Sequence, residues 1–167
     1  MNNLPNRVPL EQRYFEDYPQ GAVFECGPVV VEESEIIAFA KRYDPQSFHT
    51  DPEAAAHGAY GGLIASGWHT AAMTMRLLVE QYLSSVASLG SPGIDELRWI
   101  KPVRPADALS VRVTVLEAKR SRSKPDRGII RSLIEVSNQR GELVMSMKAI
   151  NLLLCRGALG AAAEAST

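Results

Sequence analysis

Gly67-Trp68-His69-Thr70-Ala71-Ala72-Met73-Thr74-Met75-Arg76-Leu77-Leu78-Val79-Glu80-Gln81-Tyr82-Leu83-Ser84-Ser85-Val86 carries the strongest helical pattern in this 167-residue chain, and the fold turns on it. Trp68, Ala71, Ala72, Met75, Leu78, Val79, Tyr82 and Val86 recur at helical spacing, and Met73 and Leu77 add apolar surface beyond that stripe. A helix apolar over so much of its circumference is expected inside the protein, not on its surface. Ser66, just before it, suits an N-cap.

Downstream of Pro92-Gly93 the period changes to two. Ile94 to Ile100 is followed by Val111, Val113 and Val115, alternating with Arg112 and Thr114. Ile130, Ile134 and Val136 share a face with Ser132, and Leu143 to Leu154 reads as a long final strand. Asp126-Arg127-Gly128 and Asn138-Gln139-Arg140-Gly141 are the expected hairpin connections. Upstream, Val23 to Val31 suits a strand. Glu32-Glu33-Ser34-Glu35 then opens a helix with acidic residues at the positive end of its dipole. Ile36, Ile37, Phe39 and Ala40 give that helix its stripe, and it ends before Asp44-Pro45. Residues 45 to 65 form an irregular, glycine-rich stretch in which Pro52 to Ala56 makes one helical turn. A buried helix followed by four antiparallel strands is an α+β arrangement, packed most economically as a curved sheet wrapped around the helix.

The length suits one domain with a hydrophobic core. Residues 1–12 are polar with two prolines and read as an arm; residues 13–156 form the domain; the low-complexity tail 157–167 lacks a hydrophobic face. The chain is 22% charged with a net charge of −1, so no basic excess prepares it for nucleic acid or an anionic membrane. No apolar run approaches the ~18 residues of a membrane helix, and the opening residues lack the apolar core of a signal peptide, so a soluble, cytoplasmic protein is expected. Cys26 and Cys155 form no C-x-x-C motif and no metal spacing with the three histidines, and read as buried free thiols.

The chemistry concentrates in Tyr43-Asp44-Pro45-Gln46-Ser47-Phe48-His49-Thr50-Asp51-Pro52. Asp44 and His49 are five apart, which is no helix-face spacing, but in a loop both can turn into one cleft. A carboxylate and an imidazole together can draw a proton from water and supply one to carbon. Gly67 falls in the first helical turn, where N–H groups lack partners; such an amide is a natural oxyanion donor, and glycine admits a close ligand. Asp51 reads as the acceptor of an Asx-turn, His57 and His69 as packed or solvent-facing, and Met73 and Met75 as core or tunnel wall.

These segments resemble the MaoC-like dehydratases, which include the (R)-specific enoyl-CoA hydratases. The family signature, roughly D-x-N-P-[IL]-H-x-D and then [HS]-G at the start of a central helix, is matched at Asp44, His49, Asp51 and Gly67. Leu97 to Asp107 looks like the family's strand, bend and P-x-x-x-G-D turn, and the resemblance runs over roughly residues 15–155. It departs where the family's Asn is Gln46 and its Pro is Ser47, with a proline moved to Pro45, and where some hydratases have a helix serine whose place here falls at Met75, with Thr74 beside it. The resemblance implies a hot-dog fold, a site at the interface of a homodimer or higher oligomer, and a CoA thioester substrate. It implies that Asp44 and His49 are the acid–base pair and Gly67 the oxyanion amide. The implied reaction interconverts trans-2-enoyl-CoA and (R)-3-hydroxyacyl-CoA, with no cofactor beyond the CoA of the substrate.

Ser66, Gln46, Arg98, Lys101 and Arg104 are the candidate substrate contacts, the basic residues because arginine and lysine bind phosphate well. Lys119, Arg120, Arg122 and Lys124 form a second basic set. Two competing functions share the fold. A hot-dog thioesterase generally places its carboxylate on the central helix, where Glu80 is the first acid here. A non-catalytic relative would bind the thioester without turning it over. The acyl group, and the choice between CoA and an acyl-carrier protein, are open at this point.

Overall fold

A computed structural model describes residues 8–158; part of the N-terminal arm and most of the tail lie outside the described residues. The elements run β1 (Val23–Val30), α1 (Glu33–Tyr43), α2 (Ser47–Thr50), α3 (Pro52–Ala56), α4 (Gly67–Gln81), β2 (Gly93–Trp99), β3 (Ala108–Arg120), β4 (Arg127–Ser137) and β5 (Leu143–Leu154). The strands form one antiparallel sheet in the order β1-β3-β4-β5-β2. Register shifts in β1, β2, β3 and β5 mark bulges, the device by which a sheet bends. The curved sheet and its central helix make the hot-dog arrangement implied by the resemblance.

The core lies between them. Met73, Leu77 and Leu78 of α4 pack in one cluster with Val111, Val113, Ile134, Val136 and Met147, the inward alternate residues of β3, β4 and β5. Ser132 is the polar member of the β4 face, and its hydroxyl lies 3.2 Å from the Tyr82 hydroxyl. Tyr18, Phe24 and Tyr82 meet edge-on or tilted at centroid distances of 5.0–5.6 Å. Arg13, buried beside them, donates to Tyr82 O (2.9 Å) and so sets a cation on the carbonyl end of α4, where the helix dipole favours it.

The central helix departs from the expectation in length and in phase. It stops at Gln81, so Val86 lies beyond it. Its buried face is His69, Thr70, Met73, Thr74, Leu77 and Leu78, whereas Trp68, Ala72, Met75 and Val79 are exposed. The stripe chosen by hydrophobicity is therefore mostly the outer face. The inner face tolerates threonines because each hydroxyl bonds the carbonyl four residues back: Thr70 to Ser66 O (3.3 Å) and Thr74 to Thr70 O (2.8 Å). Met75 is on the exposed face and lines no part of the site cavity, so the helix serine assigned to its position has no counterpart there.

One of the two expected hairpin connections is displaced by strand pairing. Asp126-Arg127-Gly128 is not the β3–β4 turn: Arg127 and Gly128 already pair with β5, and the connection is 121–126. The Asn138–Gly141 turn forms where expected, with Gly141 at φ 72°. Cys26 and Cys155 are free and buried.

Candidate active site

Asp44 is the C-cap of α1; its N–H still donates to Ala40 O (2.8 Å), so the helix end sets where the carboxylate starts. His49 does not come from an irregular loop. It sits on the short helix α2, a four-residue turn too brief to leave a periodic signal. Ile64 holds α2 at two points: His49 Nδ1 lies 2.7 Å from Ile64 O, and Ile64 N–H donates to Phe48 O (3.1 Å). Asp51 caps α3 by accepting from the N–H groups of Glu53 (3.0 Å) and Ala54 (3.1 Å), the structural role expected of it. The glycine-rich turn that follows uses Gly61 at φ 62° and Gly62 at φ 150°.

These elements bring Asp44 Oδ2 to 3.4 Å from His49 Nε2. Because Nδ1 faces a carbonyl, it carries the proton, and a neutral His49 turns the Nε2 lone pair toward the carboxylate. Two acceptors at this distance need a hydrogen between them, either on an imidazolium or from a water that donates to both. Ser66 donates to Asp44 Oδ2 (2.7 Å) and Gln46 Nε2 donates to Asp44 Oδ1 (2.7 Å). Those bonds, Ser66 first, hold the Asp44 carboxyl below the usual aspartate range, against a smaller upward push from burial. Ser66 is fully buried, and its hydroxyl also accepts from Trp68 N–H (3.2 Å), so one side chain caps α4 and binds the carboxylate.

Asp44, His49, Ser66 and Gly67 share a cavity of about 480 Å³ whose other walls include Phe48, Tyr60, Thr70, Trp99, Val103 and Val144. Gly67 is the first residue of α4, and its N–H finds no acceptor among the described residues. Acid–base groups, a free helix N-terminal amide and an apolar wall thus meet in one cavity of ligand size.

The remaining candidates are distributed differently. Gln46 reaches the cavity but is bonded to Asp44. Lys101 lines the cavity and pairs with Glu142 (2.8 Å). Arg104 donates to Tyr60 O (2.6 Å), behind a lining residue, and Arg98 is exposed and donates to its own strand at Leu97 O (3.2 Å). The second basic set lies on β3 and the β3–β4 connection, outside the cavity lining. His69 is buried and stacked on Phe39 at 4.8 Å. Glu80 is exposed and bonded to Arg76, so the acid a hot-dog thioesterase would use is not in the cavity. Sequence reasoning missed Trp99, which looked like a strand residue, and the Ser66–Asp44 bond, because Ser66 read as a cap and a substrate contact. Among the described residues no group of three His, Cys, Asp or Glu side chains gathers as metal ligands, and no helix is long and apolar enough to cross a membrane.

Comparison with known proteins gives the family. A MaoC-like dehydratase from Rhodospirillum rubrum is 44% identical with a TM-score of 0.80, covering 86% of this chain and 98% of its own. The R-hydratase PhaJ1 from Pseudomonas aeruginosa is 25% identical with a TM-score of 0.69, covering 84% of each chain. The uncharacterized protein YdeM of Bacillus subtilis (strain 168) is 32% identical over 139 residues, which are 80% of this chain and 97% of that one. The family model described as the MaoC like domain matches residues 16–137, and the chain belongs to that family of hot-dog hydratases and dehydratases.

Proposed function

We propose that the protein interconverts a trans-2-enoyl-CoA and the (R)-3-hydroxyacyl-CoA. The observation that carries this reading is the convergence of Asp44 and His49, 3.4 Å apart, with a free Gly67 N–H in the same cavity. The thioester carbonyl oxygen sits on the Gly67 amide. A water held between Asp44 Oδ2 and His49 Nε2 loses one proton to the pair as its oxygen bonds the β-carbon. The charge that develops on the thioester oxygen is stabilised by the Gly67 N–H at the positive end of α4. The pair then returns a proton to the α-carbon, so the elements of one water are added and nothing is oxidised or reduced. Dehydration is the reverse.

The (R) outcome follows the likeness to an R-hydratase. The reaction needs no cofactor beyond the CoA of the substrate, whose phosphates fall to Lys101 at the cavity and, at longer range, Arg104 and Arg98. A second copy of the chain covers the exposed apolar face of α4 and the edge strand β2, which presents unpaired backbone groups. We place the protein in the cytoplasm, where CoA thioesters are made and used.

The test is the absorbance of the enoyl-thioester band with crotonyl-CoA and a longer straight-chain enoyl-CoA, wild type beside Asp44→Asn. Loss of the band without thiol release, absent in the variant, is the expected result. Thiol release would make the protein a thioesterase, and an unchanged band with tight binding would make it a non-catalytic thioester binder.

A further inference from the structure

Gly67 has no backbone reason to be glycine. Its φ is not positive, unlike that of seven other glycines among the described residues, and it lies in regular helix. The reason is steric. A Cβ built there would fall 2.4 Å from Cε2 and 2.6 Å from Cδ2 and Nε1 of Trp99, so the indole lies directly on the Gly67 Cα. The same ring donates Nε1–H to Gly67 O (2.9 Å). Trp68 meets it edge-on at 5.2 Å, and the chain after it is anchored by bonds from the N–H groups of Ile100 (2.8 Å) and Lys101 (3.2 Å) to Val144 O.

We propose that Trp99 is a positioning residue for the oxyanion site: its indole, laid on the Gly67 Cα and bonded to the Gly67 carbonyl, fixes the residue whose N–H polarises the substrate. This rests on the reading of that amide as the carbonyl donor. Glycine has the widest backbone freedom of any residue, so an N-terminal turn that begins with it is the loosest point of a helix. A ring on its Cα and a bond on its carbonyl constrain it from two sides. An oxyanion donor accelerates the reaction only if its direction is set before the charge develops. The indole also keeps water off one side of that peptide, which strengthens the bond the amide makes.

The experiment replaces Trp99 by Phe, which keeps a ring but no N–H, and by benzothienylalanine, which keeps the shape without the N–H should Trp99→Phe fold poorly. Three quantities are read: steady-state hydration of crotonyl-CoA, the carbonyl stretch of bound butyryl-CoA by infrared difference, and the 15N order parameter of the Gly67 amide. In both variants kcat falls about 10-fold while KM changes by less than about 2-fold. The carbonyl stretch moves back toward its value in water, and the order parameter drops from about 0.85 toward 0.6. Unchanged kcat, stretch and order parameter overturn the proposal. So does a loss confined to KM, which would make Trp99 a binding wall. If the wild type hydrates nothing and leaves the carbonyl stretch unmoved, the hydratase reading falls instead; the order parameter then decides alone whether Trp99 holds Gly67.

Discussion

Ser66 Oγ lies 2.7 Å from Asp44 Oδ2, so the side chain that caps α4 is also the donor that holds the carboxylate of α1. One hydroxyl therefore links helix stability to the carboxylate proposed for acid–base chemistry. Ser66→Ala removes both functions. Loss of the cap is expected to lower stability by about 1 kcal/mol, read as a fall in the urea midpoint.

The same contact fixes the sign of a pH effect. Ser66 and Gln46 depress the Asp44 pKa, so the carboxylate persists to lower pH than that of a free aspartate. Activity that needs the carboxylate then keeps an acid limb below the usual value of about 3.9. In Ser66→Ala, and less so in Gln46→Leu, the limb of kcat/KM moves to higher pH. The stability linked to Asp44 runs the same way: it is present above the unfolded pKa and lost as pH falls through the depressed folded one. A kcat/KM profile with an unmoved acid limb in Ser66→Ala would remove Asp44 as the base.

Asp44→Asn and His49→Gln keep shape and remove the proton carriers. Each is expected to cut kcat by about 10²–10⁴-fold with melting temperature little changed. Stopped-flow or initial-rate absorbance checks this, and near wild-type turnover in both variants would end the assignment of the pair.

Ala106 stands at φ 66°, in the left-handed region, at the position of the glycine in the family's P-x-x-x-G-D turn. The strain is tolerated because the turn is bonded on both sides: Ala106 N–H donates to Val31 O (2.8 Å), and the buried Asp107 carboxylate accepts from Arg104 N–H (2.8 Å) and Gln139 Nε2 (3.0 Å). Relief of roughly 1–2 kcal/mol of steric strain outweighs the added freedom of an unfolded glycine. Ala106→Gly should therefore raise stability by about 0.5–1 kcal/mol, seen as a higher urea midpoint with unchanged slope.

The candidate site was legible where the proposed chemistry needs particular residue types, and the fold where burial follows a strict period. Asp44 and His49 stood out because a carboxylate and an imidazole framed a turn, and β4 and the first part of β3, through Val115, because their buried faces alternate. The contact of Ser66 with Asp44 was not legible, since nothing local brings residues 22 apart together. Trp99 was missed for the same reason: its partner, Gly67, is 32 residues away. The phase of α4 was misread because threonines that bond their own helix can be buried, while apolar Trp68, Met75 and Val79 point outward.

Exposures of 60%, 46% and 55% for Trp68, Met75 and Val79 leave one apolar face of α4 uncovered, while Leu77 on the opposite face is 3% exposed. The two faces make opposite predictions. Leu77→Ala opens a cavity in the core and should cost about 2–5 kcal/mol. Val79→Ala removes little buried surface within one chain and should change the stability of the isolated subunit by less than about 0.5 kcal/mol. A charge at 79 distinguishes a solvated face from an interface: Val79→Glu would be harmless in water, but facing a second copy it places a carboxylate in an apolar contact with no partner, which is strongly unfavourable. Sedimentation equilibrium should show wild type as a dimer and Val79→Glu shifted to monomer with its secondary structure intact. A Val79→Glu protein with wild-type mass in solution would mean that this face of the helix meets water and that the subunits join elsewhere, with the β2 edge the next surface to break.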